Sequence, residues 1–492
     1  MTHSTRAKRA GLALLGAGAL ITGMTMAAGT ASAESAFTTL DKTSEAQVRF
    51  SGAERGQPIL AGGEVSASGE GFRSGQQVTL LYGSAPLTTA PLVADAEGKV
   101  SGKFQLPANA VPGVHPIVIV AQGPYYATVA DLKVSPTIPL SGQKDYVLTE
   151  AQAVRGLYQS AYSPKTNALF VTSAVGRPPV RQSELVKLDA DTLKVLARVS
   201  PQPAPEPERG PQGANAVPRP AGPGAGKAGE GPGLFAVYGL DVDDGKGMVW
   251  VTNTRQNTVA AYRQSDLSLV KQFAPDTVGH PRDVRVDSAL GKAYVSSVGK
   301  PEVLVIDTSS LEPAGTIHVP AKGRGKEFSA ASLSFDAAAH RLYAVSLSTN
   351  EVAVIDTRAD AVEKVFAVPG ARGAIGVSHD PQTGRIFVVA QGSDNLVILD
   401  GKDGRVIADT PIGAGALNVV FDPVKRRAYV ANRGASTIAV TDVDGKLLAN
   451  LGPAPTANHV ALGRNGVVYA VDKSAGAKDA DSDTITKISP RR

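Results

Sequence analysis

Trp250-Val251-Thr252-Asn253, Tyr294-Val295-Ser296-Ser297 and Tyr429-Val430-Ala431-Asn432 are copies of one short pattern. An aromatic followed by Val or Ala recurs also at Phe170-Val171, Tyr343-Ala344, Phe387-Val388 and Tyr469-Ala470. From each aromatic to the next the steps are 80, 44, 49, 44, 42 and 40 residues. A second run follows each one: Leu185 to Asp189, Val259 to Arg263, Val303 to Asp307, Val352 to Asp356, Leu396 to Asp400, Ile438 to Asp442 and Ile485 to Ser489. Copies in phase at about 42 residues mean a repeated supersecondary unit that cannot bury its faces alone.

Several β-runs per unit at that period make a propeller blade, so the chain predicts an all-β fold with a seven-bladed β-propeller over residues 144–492. The last repeat has no fourth strand of its own, and Lys144-Asp145-Tyr146-Val147-Leu148 can supply it, removing an exposed edge. The long first step holds an insertion, residues 201–232, with nine Pro and seven Gly. Such a composition cannot pack a core and predicts a disordered or polyproline loop projecting from the ring.

The repeats resemble those of the YVTN propellers, including surface-layer and YncE-like proteins. The three quoted tetrapeptides look like the Y-V-T-N strand. Asp422-Pro423, Asp380-Pro381 and Ser163-Pro164 match the turn before it, and D-N-x-V or T-N-x-V matches the hairpin after it. The resemblance covers about residues 154–490 and implies the fold more than any one activity. WD-repeat signatures are absent, and one Trp is too few for a quinoprotein propeller of the Trp-docking type.

Upstream, residues 44–137 alternate apolar and polar in short runs, as in Gln77-Val78-Thr79-Leu80-Leu81-Tyr82 and Pro116-Ile117-Val118-Ile119-Val120. Turn signals such as Glu97-Gly98-Lys99 separate them, which is the pattern of a β-sandwich. G-E-G-F-R-S-G-Q-Q-V and L-P-A-N-A-V-P-G-V-H resemble bacterial Ig-like repeats of exported proteins. An N-terminal Ig-like β-sandwich is therefore expected.

Residues 1–33 read as a signal peptide. Arg6, Lys8 and Arg9 precede an apolar run from Gly11 to about Ala28, and Ala31-Ser32-Ala33 suits cleavage. No paired arginines stand in it, which favours general export. The expected protein is secreted or extracellular, either free or cell-wall associated, with no membrane span after cleavage. Loss of those three basic residues takes the formal charge from +5 to +2. So small an excess, with few aromatics, argues against nucleic acid. With no cysteine in the chain, disulfides, thiolate metal sites, lipoprotein attachment and c-type haem are excluded.

Aligning the innermost strands puts Gln159, Gly239, Asp283, Ser332, Gly376, Asn418 and His459 in one column, followed mostly by Leu or Val. That alternation aims the column at the central channel, where its polar groups are expected to stay hydrated. His280, Arg282, Arg372 and Asn458 come just before or within these strands, near the funnel mouth. Gln159, His280, Arg282, Asp283, Ser332, Arg372, Asn418, Asn458 and His459 are thus the candidate ligand-binding set. His280, Asp283 and His459 offer imidazole and carboxylate, but they come from non-adjacent blades and no H-x-H pair exists, so no metal is expected. The other histidines beyond residues 1–33, at positions 115, 318, 340 and 379, read as structural or solvated.

Gly222 to Ala228 imitates a phosphate loop but lacks the magnesium-holding Ser/Thr and a preceding strand. Asp479, Asp481 and Asp483 imitate a calcium loop, but Thr484 stands where Gly is required. No G-x-S-x-G elbow occurs, no catalytic residue is assigned and no cofactor is expected. The leading expectation is a non-catalytic binding protein using the propeller funnel or rim. Its partner would be an extracellular ligand, a protein or a cell-wall component. The alternatives are a propeller hydrolase or lyase, lactonase-like or streptogramin-lyase-like, and single-stranded nucleic-acid binding.

Overall fold

The computed structural model describes residues 38–54, 56–205, 232–473 and 483–491. The expected signal peptide, most of the Pro/Gly-rich insertion, the phosphate-loop imitation, Asp479 and Asp481 lie outside them. The fold is all-β and propeller-type. Among the described residues there are seven four-stranded antiparallel sheets. No helix among them is long and apolar enough to cross a membrane.

The first strands of these sheets are Leu157–Ser163, Leu240–Asp243, Val284–Asp287, Ala330–Asp336, Ala374–His379, Ala416–Asp422 and Ala457–Leu462. Each packs against the first strand of the next sheet, and the seventh returns to the first, so they form a closed ring around an axis. The second strands carry the repeated aromatics and are buried on both faces, as in Met248–Asn253 and Arg427–Asn432. A strand wedged between two neighbouring sheets has no solvated face, which is why these runs do not alternate. Trp250, Tyr294, Tyr429, Tyr469, Phe170 and Phe387 are all fully buried.

Two of these tyrosine hydroxyls find partners on adjoining sheets. Tyr294 Oη donates to the Thr357 carbonyl, with Asp360 Oδ1 at 2.7 Å, and Tyr469 Oη donates to the Ala190 carbonyl at 2.8 Å. The aspartates that end the third strands cap the tight turns that follow. Asp307 Oδ1 accepts the Ser309 and Ser310 amides, and Asp442 Oδ1 those of Asp444 and Lys446.

The seventh sheet takes its outer strand from upstream. Tyr146–Gln152 pairs antiparallel with Thr484–Pro490, from Tyr146 opposite Pro490 to Gln152 opposite Thr484. The described residues at the ends of the insertion are paired, with Pro203 bridging Leu234 and the Ala204 amide donating to the Gly233 carbonyl at 2.8 Å.

Upstream of the ring, a three-stranded sheet (Gln47–Gly52, Glu64–Glu70, Val100–Gln105) faces a five-stranded one built on Gln77–Tyr82, Gly113–Gln122 and Tyr126–Val134. Val48, Val65 and Phe104 from one sheet meet Val78, Leu80, Ile117, Ile119 and Leu132 from the other in a single core. This unit touches the fifth ring sheet. Lys133 Nζ lies 2.8 Å from Asp394 Oδ1 and 2.8 Å from the Gln391 carbonyl, and Arg372 Nη1 lies 2.8 Å from Asp131 Oδ2.

Candidate functional site

The polar column closes the ring before it can do anything else. Gln159 Oε1 accepts the Leu240 amide at 3.2 Å, and Asp283 Oδ2 the Leu333 amide at 3.0 Å. Asn418 Oδ1 accepts the Val460 amide at 2.9 Å, and His459 Nδ1 the Ser160 amide at 3.3 Å. In every case the donor is the residue just after the column position on the next sheet.

Where the column residue is Gly, the next strand stands too close for a side chain. A Cβ on Gly239 would lie 2.3 Å from the Arg282 carbonyl oxygen, and one on Gly376 would lie 3.0 Å from the Asn418 Cα. There the acceptor sits two residues further on: Asp241 Oδ2 takes the Val286 amide at 2.9 Å and Ser378 Oγ the Phe421 amide at 3.0 Å. The remaining seam, between the fourth and fifth sheets, is spanned by Ser334 Oγ and His379 Nδ1 at 2.8 Å. Each of the seven seams is thus bridged by at least one side-chain hydrogen bond.

Column side chains are therefore buried and partnered, where the sequence had suggested hydration: Asp283 is 1% exposed and His459 5%. Burial, then the nearby Arg285 and Arg282, holds the His459 imidazole well below its ordinary range. It is neutral at pH 7, which leaves Nδ1 free to accept.

On one side of the column lies a cavity of about 500 Å³. Its lining runs along the second halves of the first strands to Ala337, Pro381 and Pro423 in the turns beyond. Ser160, Asp241, Arg285, Ser334, Asp336, His379, Asn418 and His459 supply its polar groups. Arg285 Nη1 donates to the Val284 carbonyl at 2.9 Å and pairs with Asp283 Oδ1 at 3.2 Å. Burial pushes the Asp241 carboxyl up to about 6, against the pull of Arg285. The His379 ring is stacked on Tyr343, centroids 5.0 Å apart, and its Nε2 is 3.8 Å from Asp336 Oδ2. Burial lowers the His379 imidazole too, against Asp336, which favours a neutral ring.

Only Asn418 and His459 of the sequence-predicted set line this cavity. Gln159, Asp283 and Ser332 are locked in the ring wall. Arg282 crosses from the third sheet to the fourth and fifth, donating to Ser332 Oγ and to the Ile375 carbonyl. His280 is exposed on a turn with φ 50°, its amide donating to Asn257 Oδ1. Asn458 Nδ2 donates to the Tyr158 carbonyl, while Arg372 is drawn outward to Asp131. The sequence reading missed the Ser334–His379 pair. Its signal was a polar residue two places after the column in the fourth repeat and a His three places after it in the fifth.

No protein-family model matches the chain. The chain is 22% identical over 342 residues to an uncharacterized protein YncE of Salmonella typhimurium, covering 67% of this chain and 86% of that protein. YncE of Escherichia coli K12 is 21% identical over 281 residues, 55% of this chain and 68% of that protein. Among solved structures, virginiamycin B lyase from Staphylococcus aureus superposes with a TM-score of 0.51 at 13% identity, over 70% of this chain and 100% of that one. A streptogramin B lyase gives 0.52 at 13%, over 71% and 100%. Kuenenia stuttgartiensis hydrazine synthase gives 0.50 at 16%, over 65% and 94%. These likenesses support a YncE-like, propeller-type family.

Proposed function

We propose that this chain is an exported binding protein: a seven-bladed propeller that holds a small polar ligand in its axial cavity, with an Ig-like sandwich as spacer or second contact. The observation that carries the reading is the cavity itself. Its volume of about 500 Å³ suits a small molecule, and an Arg, two carboxyl groups and two neutral imidazoles converge on it. Export rests on the leader-like residues 1–33.

A second reading, a propeller hydrolase or lyase, is favoured by Ser334, His379 and Asp336. A hydroxyl 2.8 Å from a neutral imidazole that has a carboxylate behind it has the nucleophile–base–orienter order of acyl transfer. The lyases among the structural neighbours share the fold, at sequence identities that speak for the fold alone.

One experiment weighs the two. A panel of small polar metabolites is screened by thermal shift on the intact protein and on Ala461→Phe, which fills the cavity. Binding predicts a ligand-dependent rise in Tm of several degrees that the filled variant loses. A rise that survives filling moves the ligand elsewhere. In parallel, labelling by a serine-directed fluorophosphonate that disappears in Ser334→Ala would decide for the enzyme.

A further inference from the structure

At the opposite end of the axis from the cavity, three cations meet around a pair of tyrosines. Arg255, Arg433 and Lys473 each follow the second strand of a sheet: the second, sixth and seventh. Lys473 Nζ stands 4.5 Å above the Tyr158 ring, and the Tyr238 ring meets Tyr158 edge-on at 5.0 Å. Arg433 Nη1 donates to Asn458 Oδ1 at 3.3 Å, and the same Asn458 holds the Tyr158 carbonyl. Lys473 is itself fixed, because its amide donates to the Thr456 carbonyl at 3.2 Å and its carbonyl accepts from Thr456 Oγ1.

Among the described residues no ion pair joins any of the three cations to a carboxylate within 4.0 Å, and Asp483 acts on Lys473 from longer range. Burial, and then Arg433 and Arg255, push the Lys473 ammonium down to about 8. Like charges brought together this way raise the free energy of the empty protein, and an anion seated among them removes the cost. The face of Tyr158 adds a surface against which a ligand's body can lie.

We propose that this end of the ring is a binding site for a small oxyanion, a phosphate or carboxylate group, held by Arg255, Arg433 and Lys473 beside Tyr158 and Tyr238. It stands apart from the axial cavity and does not depend on what that cavity holds. Two arginines and a lysine make a fork-and-point arrangement suited to such a group, and Asn458 fixes one arginine's approach.

The test uses the intact chain with inorganic phosphate and with acetate, at ionic strength held constant by sodium chloride. Binding is read by calorimetry and by the NMR shift of the Lys473 side chain. Saturable phosphate or acetate binding is expected, weakened at least tenfold in Lys473→Met and in Arg255→Ala/Arg433→Ala, and unchanged in Lys103→Met, which removes an exposed cation of the upstream sandwich. The two arginines are exposed, so that double variant folds even if Lys473→Met does not. The ratio of phosphate to acetate affinity tells which group the site prefers. No saturable response beyond chloride, or equal binding in the double variant, overturns the proposal. So does a single-stranded oligonucleotide that binds while neither small anion does.

Discussion

His459 can hold its seam only while Nδ1 carries no proton. In the fold its pKa is depressed by burial and by the Arg285 and Arg282 cations, whereas in the unfolded chain it returns to about 6.5. A depressed histidine contributes stability that is fully present above the unfolded value and is lost as pH falls below it. The slope approaches about 1.4 kcal/mol per pH unit until the folded value is reached. His459→Asn keeps an acceptor, as Asn418 does one sheet earlier, but cannot titrate. The drop in unfolding free energy from pH 7 to pH 5 should therefore be about 1–2 kcal/mol smaller in His459→Asn than in the parent, measured by denaturant titration. Equal drops would show that His459 takes up protons alike in the folded and the unfolded chain, and hence that its imidazole does not hold the seam as an acceptor. The position of this residue was legible in the sequence, because aligning the repeats isolates the column. Its role was not, since alternation along a strand cannot distinguish a group facing water from one reaching sideways to the next strand.

The repeated elements explain both what the sequence shows and what it hides. Second strands are legible because burial between two sheets demands an aromatic and β-branched run in every copy, and Asp-ended third strands because their turns need a side-chain acceptor. The strand Tyr146–Gln152 is legible as the missing edge of the seventh sheet, far away in sequence though it is. Its anchor is Tyr146, 3% exposed, whose ring meets Tyr429 edge-on at 6.4 Å and whose hydroxyl takes Arg427 Nη1 at 2.9 Å. Removing such a buried aromatic costs roughly 3–5 kcal/mol. Tyr146→Ala is expected to lower stability by about that much and to speed amide exchange along Thr484–Pro490 ahead of the other sheets. Uniform exchange across the ring would mean that the seventh sheet is held by its neighbours and not by its borrowed strand. What stays hidden is any contact between repeats that varies from copy to copy. Ser334 and His379 stand two and three places after the column, and Arg255, Arg433 and Lys473 four or five places after the repeated aromatic, yet only the closed ring turns such offsets into proximity.

At the scale of the whole molecule, the sandwich is fastened to the ring by two ion pairs of unequal weight. Arg372 and Asp131 are 58% and 60% exposed, so water and salt screen them and their contribution is about 0–1 kcal/mol. Lys133 reaches Asp394, which is 1% exposed and also accepts the Gly415 amide at 2.7 Å through the same oxygen. Taking away Lys133 leaves a buried carboxylate with one partner fewer. The lysine is a third exposed, so the cost falls below that of a fully buried pair, to roughly 1–3 kcal/mol. The chain between the two units is itself held, with Asn450 Nδ2 donating to the Ile138 carbonyl at 2.8 Å and Ser141 bridging Asn450. Lys133→Met should therefore let the sandwich swing on a retained linker without detaching the closing strand. Small-angle scattering is expected to show a larger radius of gyration for Lys133→Met, with amide protection lost near Gly415, while Arg372→Ala stays close to the parent in both. The reverse order, with Arg372→Ala the looser variant, would mean that the exposed pair governs docking and that the buried one serves only the fifth sheet. Such a result would return Arg372 to the list of residues that shape this end of the ring.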